Sequence, residues 1–344
     1  MSGLLKPRVA PRPAGSSPGR RWLGLCALGS VGCAALHAES FQLPTANQTL
    51  LAPGQEERLY VGTVGKPWTS GTFGCVRTSG TQLHEGLDIR CAQRDKRGEP
   101  TDPVLATASG TVAYINTRSS LSAYGIYVIL RHSIDGLEIY SLYAHLSRVA
   151  DGLRLGQSVQ AGQPIAVMGH TANTRQAISQ ERAHLHFELG LLINERYPQW
   201  HRKTYPKGVN DHGLWNGLNL AGLDPDPILR EHYRRGPQFS LMNLLRCQTE
   251  LCRVVVRDTQ FPWLQRYAAL VQRNRVAERE GVAGYEIGRN VNGVPSCPGH
   301  PRRCAAARRC ICSPSTRRNT GCARAGNWSS RKADGGSWPT TEST

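Results

Sequence analysis

The sequence predicts a mainly β protein of antiparallel strands, with a small, mainly helical C-terminal appendage and disordered ends. Three observations carry this reading. Between about residues 70 and 194, short β-branched and aromatic runs are separated by Gly, Ser, Asn and Asp. From 224 to 280 apolar positions recur at helical spacing instead. Beyond Pro295 aliphatic residues almost vanish, leaving Arg, Cys, Ser, Gly and Pro, a composition that cannot build a core.

Taken in order, residues 1–38 read as a leader. Arg20 and Arg21 precede an apolar run over 22–36, too short to span a bilayer comfortably but suited to an export signal, with cleavage near Ala38. The expected location is therefore the periplasm or cell envelope, or the medium; an uncleaved leader acting as an anchor is the alternative. Cys26 and Cys33 follow residues that fit a lipoprotein signal poorly. Residues 39–69 form a Gly- and Pro-punctuated approach segment.

Residues 70–223 are the expected catalytic domain. Thr111-Val112-Ala113-Tyr114-Ile115, Ile126-Tyr127-Val128-Ile129-Leu130 and Glu138-Ile139-Tyr140-Ser141-Leu142-Tyr143 read as strands. Gly156, Val159, Gly162 and Ile165 recur at three-residue steps, which suits tight turns between short strands. Residues 224–294 are the helical appendage, with Leu241, Leu244 and Leu245 on one face and a second run over 264–276. Residues 295–344 are a basic tail, or the product of a reading-frame shift, and are given no function.

The net charge of +17 belongs mostly to the ends. Of 42 basic and 25 acidic residues, five basic and no acidic ones fall in 1–38, and nine basic and two acidic ones in 294–344. That leaves 28 against 23 between them. The middle is only mildly basic and has no basic stripe interleaved with aromatics, which argues against nucleic acid as a partner. Eleven cysteines divide into two in the leader, four in the body and five in the tail, the last without zinc-ribbon spacing. Export favours disulfides in the body: Cys75 and Cys91 bracket the first histidine motif, and Cys247 and Cys252 are near enough to close a small loop.

Three signatures stand in the β region: His84-Glu85-Gly86-Leu87-Asp88, Tyr143-Ala144-His145-Leu146 and His184-Leu185-His186-Phe187-Glu188. On a strand, side chains an even number of residues apart share a face, so His84 can join Asp88, and His184 can join His186. Leu87, Ile89, Leu185 and Phe187 would then point into a core. Two such strands side by side would assemble two or three imidazoles and a carboxylate, the ligand set of a catalytic zinc with its fourth position kept for water. Each motif alone is weak, since a lone His on a half-buried strand is more often a hydrogen-bonded core residue. Their conjunction carries the argument.

The segment over 70–188 resembles the lysostaphin-type (LytM family) zinc endopeptidases of peptidoglycan. Ser70-Gly71-Thr72-Phe73-Gly74-Cys75-Val76-Arg77 is similar to that family's opening strand, and Tyr124-Gly125 with Val128-Ile129-Leu130-Arg131-His132 to its central strand. The three histidine signatures match its metal and catalytic motifs. The resemblance implies a barrel-sandwich (duplicated hybrid motif) with an open groove, and one zinc held by His84, Asp88 and His186. It implies catalytic roles off the metal for His145 and His184, and peptidoglycan peptides as substrate. His132 is read as structural, and Glu85, with no helical His-Glu-x-x-His around it, as a solvated or supporting carboxylate.

One departure stands out. Residues 170–183 replace the family's short Gly/Ser/Thr link with a longer polar loop, expected to border the groove and to bear on which cross-bridge is accepted. Two other functions share parts of the pattern: a catalytically silent, amidase-activating envelope protein, against which all five polar positions are filled, and a secreted protease acting on proteins. A biotinyl or lipoyl carrier is set aside because no Lys lies between Lys96 and Lys203.

Overall fold

The β-branched and aromatic runs form the strands expected of them because such side chains pack well on a pleated, half-buried surface. A computed structural model describes residues 41–77, 80, 82–173, 178–272, 274–290 and the backbone of 312–314. Its strands are β1 (Val76–Arg77), β2 (Gln82–Leu83), β3 (Leu87–Arg90), β4 (Pro103–Leu105), β5 (Gly110–Asn116), β6 (Ile126–Ile134) and β7 (Leu137–Val149). β8 (Ser158–Val159), β9 (Pro164–Met168), β10 (His184–Leu192), β11 (Leu220–Leu223), β12 (Cys252–Val256), β13 (Tyr285–Arg289) and β14 (Cys312–Pro314) follow. The three predicted runs lie within β5, β6 and β7.

Nine strands share one sheet in the order β11-β10-β7-β6-β5-β8, with β3 against β10 and β9 against both β4 and β7. Every pairing in it is antiparallel. The β6–β7 hairpin turns at Asp135-Gly136, with φ of 52° and 73°, the two positive values that a tight turn matching strand twist requires. β10 is buried along its whole length, sandwiched between β7 on one side and β3 followed by β11 on the other.

The main apolar core reaches beyond this sheet. Phe41, Leu50, Leu59 and Tyr60 from the approach segment and Ile228, Leu229, Leu241, Trp263 and Tyr267 from the C-terminal part join Leu87, Leu130, Phe187 and Leu189 in one cluster. After β11 come helices Pro225–Arg235, Leu241–Arg246, Pro262–Arg266 and Arg275–Glu280, which the helical spacing foreshadowed in part. The same region also holds β12 and β13, which pair antiparallel with each other, and β14 pairs with β13. The helical periodicity did not reveal β12, because its five residues Cys-Arg-Val-Val-Val are nearly all exposed and show no alternation to read.

The expected cysteine pairings are corrected. Cys75, Cys91 and Cys252 carry free thiols, so neither Cys75–Cys91 nor Cys247–Cys252 is formed; Cys247 is disulfide-bonded elsewhere. Cys91 is buried and its sulfur lies 3.2 Å from Asp102 Oδ2 and 3.0 Å from Gln93 O, committed to the loop after β3. Cys75 sits at the foot of the β1–β2 hairpin, its sulfur turned to its own neighbour's carbonyl. The leader, and the tail apart from β14, lie outside the described residues. Among those described, no helix is long and apolar enough to cross a membrane.

Candidate metal centre

Strand register builds the centre. His186 on β10 pairs directly with Asp88 on β3, while Leu185 pairs with Ile89 and Phe187 with Leu87. Residues opposite one another in an antiparallel pair project to the same face, so Asp88 and His186 emerge together. The four intervening apolar side chains enter the core, each at most 3% exposed. His184, two residues before His186, shares its face. His84 differs from the expectation in one respect: β3 begins only at Leu87, so His84 reaches the site from the connection after β2 rather than from the strand itself. Gly86 in that connection has no room for a side chain, since a Cβ there would lie 2.3 Å from Phe187 O.

His145 arrives by a different device. Its neighbour Ala144 pairs with His186, so strict alternation would turn His145 away from the site. Instead the β6–β7 register shifts between Ile126 and Val128, and His145 adopts φ of 61°. This bulge swings the imidazole back, leaving its ring 4.9 Å from that of His184 and 5.7 Å from that of His186. A non-glycine residue with positive φ costs backbone energy and is found disproportionately at functional positions.

Each imidazole around Asp88 is oriented by one hydrogen bond to an acceptor outside the cluster. A carbonyl or carboxylate oxygen can only accept, so the ring nitrogen facing one must carry the proton. His84 donates from Nδ1 to Thr72 O at 2.8 Å, and His186 from Nε2 to Glu188 Oε1 at 2.9 Å. His184 donates from Nδ1 to Arg182 O at 2.7 Å, and His145 from Nδ1 to Thr171 O at 2.9 Å. Glu188 is steadied in turn by the Tyr124 hydroxyl, which donates to it at 2.6 Å. Asp88 accepts through Oδ2 from Arg77 Nη2 at 2.7 Å, which leaves Oδ1 facing the imidazoles.

The result is three converging ligand atoms. His84 Nε2 and His186 Nδ1 are 3.1 Å apart and lie 3.1 and 3.0 Å from Asp88 Oδ1. Two ring nitrogens and a carboxylate oxygen held this close need a proton or a metal cation among them, and a metal displaces the proton that His186 otherwise holds. The ligand atoms of a tetrahedral zinc at about 2.0–2.1 Å stand roughly 3.3 Å apart, and nitrogen and carboxylate oxygen are ligands zinc accepts. The donor set fits a metal ion. His84, Asp88 and His186 form the group whose geometry allows one among the described residues, all three buried.

The electrostatics agree. Burial alone would raise the Asp88 pKa, but His184, His84 and His186 around it hold the carboxyl well below its ordinary range. Burial likewise opposes a charged His186, yet hydrogen bonds to Asp88 and Glu188 push it up to about 10, which makes this the position where a cation is most favoured. Burial lowers both His145, which sits well below the usual imidazole value, and His184; His184 and His186 add to the effect on His145. Those two are neutral bases whose Nε2 atoms are bare. His184 Nε2 lies 3.5 Å from Asp88 Oδ1 and is not one of the three atoms of the triangle.

The centre opens into a groove of about 690 Å³, bordered by His84, Glu85, His145 and His186. Ala172, Ile178 and Arg182 of the long loop also line it, so the loop does border the groove, although residues 174–177 lie outside the described set. His132 stands apart, buried between Ser109 O at 3.0 Å and Ser141 Oγ at 2.7 Å, and burial pushes its pKa down to about 4. Glu85 meets the Gln82 amide on the groove's exposed side. Sequence reasoning gave no role to Arg77, Tyr124 or Glu188. Only Glu188 had a readable signal, its position two residues beyond His186 on the same strand face.

Comparison with known proteins bears on the same segment. Residues 82–197 match Peptidase family M23. The lipoprotein NlpD/LppB homolog of Pseudomonas aeruginosa is 38% identical over 127 residues, 36% of this chain and 35% of that one. The murein hydrolase activator NlpD of Escherichia coli K12 is 36% identical over 106 residues, 31% of this chain and 22% of that one. The chain thus spans about a third or less of the curated relatives it matches. Among solved structures, the catalytic domain of lysostaphin from Staphylococcus simulans aligns at 21% identity and a TM-score of 0.28, covering 46% of this chain and 89% of that one. A zinc-containing peptidase from Vibrio cholerae aligns at 27% identity and a TM-score of 0.26, covering 34% and 31%. The segment that carries His84, Asp88, His145, His184 and His186 is thus the one that matches Peptidase family M23.

Proposed function

We propose that the chain is a zinc-dependent endopeptidase of the bacterial envelope, hydrolysing peptide cross-links or stem peptides of peptidoglycan. The observation that carries this reading is the convergence of three ligand atoms, on His84, Asp88 and His186, beside two imidazoles that are not part of the triangle. A zinc ion bound there supplies Lewis acidity and brings the pKa of a coordinated water near neutrality. His145 and His184 are pinned through Nδ1 and present bare Nε2 atoms. One takes the proton released by the attacking water, and the imidazolium so formed donates to the developing oxyanion or the departing amine. Arg77 and Glu188 hold Asp88 and His186 in the orientation the metal needs.

The test is digestion of purified peptidoglycan by the mature protein, with released fragments identified by mass and metal measured in the same preparation. One zinc per chain, loss of hydrolysis on chelation and recovery on adding zinc are expected. An active preparation without stoichiometric metal would overturn the reading. A second reading, activation of separate murein hydrolases, is favoured by the names of the NlpD relatives. It requires that the chain alone release no fragments and that Asp88→Ala stimulate an added murein amidase as well as the wild-type chain does.

A further inference from the structure

The groove carries one more buried imidazole, and it lies outside the family match, which ends at residue 197. His212 is 7% exposed and borders the same cavity as His145 and His186. Its Nδ1 stands 2.8 Å from the Tyr114 hydroxyl, while its Nε2 is buried with no hydrogen-bond partner among the described residues. The unpartnered atoms of Tyr197, His232 and Glu250 belong to residues that do not line the groove. Arg77 Nε does border it, but that guanidinium is already spent on Asp88 and Ser70.

The surroundings hold His212 rigidly. Its ring packs 5.1 Å from Tyr127, which lies 5.3 Å from Tyr124, which lies 5.6 Å from His186, so a row of rings links it to the metal centre. The segment bearing it is tied down by Tyr127 donating to Trp215 O, Asn210 to Gly213 O and Asn219 to Leu214 O. Gly217 closes directly on Tyr124, since a Cβ there would stand 2.3 Å from the phenol oxygen. The 2.8 Å contact lets the Tyr114 hydroxyl donate into Nδ1, and in that tautomer the imidazole proton stands on Nε2. An N–H buried beside a groove without an acceptor is costly unless a ligand supplies one.

We infer that His212 is a substrate-positioning residue, its Nε2–H donating to a main-chain carbonyl oxygen of the bound peptide, with the rings of Tyr127 and Tyr124 between it and the metal centre. The inference rests on the peptide-hydrolase reading and names a further residue of the same groove. It is tested with zinc-loaded full-length protein and a soluble peptidoglycan fragment, measuring zinc content, kcat, KM and the Kd of the fragment by titration. His212→Leu should raise KM and Kd about tenfold, the loss expected of one hydrogen bond, with zinc content unchanged and kcat little altered. His212→Gln, whose amide nitrogen reaches the place of Nε2, should restore most of the affinity. Wild-type KM and Kd in His212→Leu, or loss of zinc in both variants, would overturn the proposal. Should His212→Leu fail to fold, Tyr114→Phe takes its place: it releases the tautomer, and an unchanged Kd there overturns the proposal equally. Fragment binding that depends on His212 without any product from the wild-type protein would sink the hydrolase reading and leave this one standing.

Discussion

Each of the four imidazoles around Asp88 has one nitrogen spent before any metal or substrate arrives, and where the other nitrogen stands relative to Asp88 Oδ1 divides their proposed roles. His84 and His186 keep bare atoms at the triangle with Asp88, so His84→Ala, His186→Ala and Asp88→Ala should lose metal and activity together, read by elemental analysis beside turnover. His145→Ala and His184→Ala should keep metal while turnover falls by about 10² to 10⁴, the usual contribution of a general acid or base. Metal lost from His184→Ala and kept by His186→Ala would reverse the assignment. The elevated His186 pKa gives a pH prediction for protein stripped of metal. A group whose folded pKa of about 10 exceeds its ordinary 6.5 contributes stability that is complete below 6.5 and is lost as pH rises through 10. The melting temperature of chelated protein should therefore decline across that window, whereas metal-loaded protein, in which the proton is displaced, should not show the decline. Much of this was legible in the sequence: the spacing of His184, His186 and Glu188 on one strand states which side chains share a face. The Arg77 ion pair was not, because it joins a separate hairpin to β3, and no local pattern records a contact across eleven residues of turn and strand.

At the scale of elements, the site exists because β3 and β10 run close together in one register. That register is protected on both faces, by the buried Leu87, Ile89, Leu185 and Phe187 below and by the polar cluster above; a slip of one residue would exchange them. Period-two reasoning recovers this pairing, but it misplaces two residues. His84 lies ahead of the strand, and His145 would face the core were it not for the bulge opposite Tyr127. Bulges leave little trace in a single sequence, since any residue tolerant of positive φ can occupy one. The close approach at Gly86 supplies the test of how tightly the elements must fit. In Gly86→Ala the new methyl meets the Phe187 carbonyl, which is backbone and cannot rotate aside, so β3 must move from β10. A loss of about 1 to 3 kcal/mol is expected from overpacking of this kind, with weakened metal binding because Asp88 and His186 separate. Thermal melting and a chelator competition should both register it; wild-type values in both would show that the strands have slack.

For the molecule as a whole, the family match ends long before the apolar core does. Residues 198–290 lie beyond it, yet Ile228, Leu229, Leu241, Leu245, Trp263, Tyr267 and Leu270 belong to the same buried cluster as β3 and β10. Polar ties reinforce the packing. Tyr267 accepts at its hydroxyl from Leu192 N, the last residue of β10, at 2.8 Å; Arg266 pairs with Glu138 and Glu195; and the Tyr60 hydroxyl donates to Asp226. Composition marks a change at residue 224, and helical spacing reads the first turns beyond it, but neither can tell an independent appendage from a segment that completes another's core. Burial decides that, through contacts more than a hundred residues apart in sequence. A chain ending at residue 224 therefore keeps all five site residues but exposes the underside of β10 and the strands beside it. Fully burying a single Leu, Phe or Trp side chain contributes about 1.5 to 3 kcal/mol, and a fold stable by only about 5 to 15 kcal/mol does not survive losing several. That truncation should be insoluble or unfolded, without bound zinc. A graded version avoids the all-or-none outcome: Tyr267→Phe strands the buried Leu192 N–H and should cost about 1 to 3 kcal/mol while leaving zinc content and KM at wild-type values. If the truncated chain instead melted cooperatively with its zinc in place, the C-terminal segment would be a separate body and its share of the core dispensable.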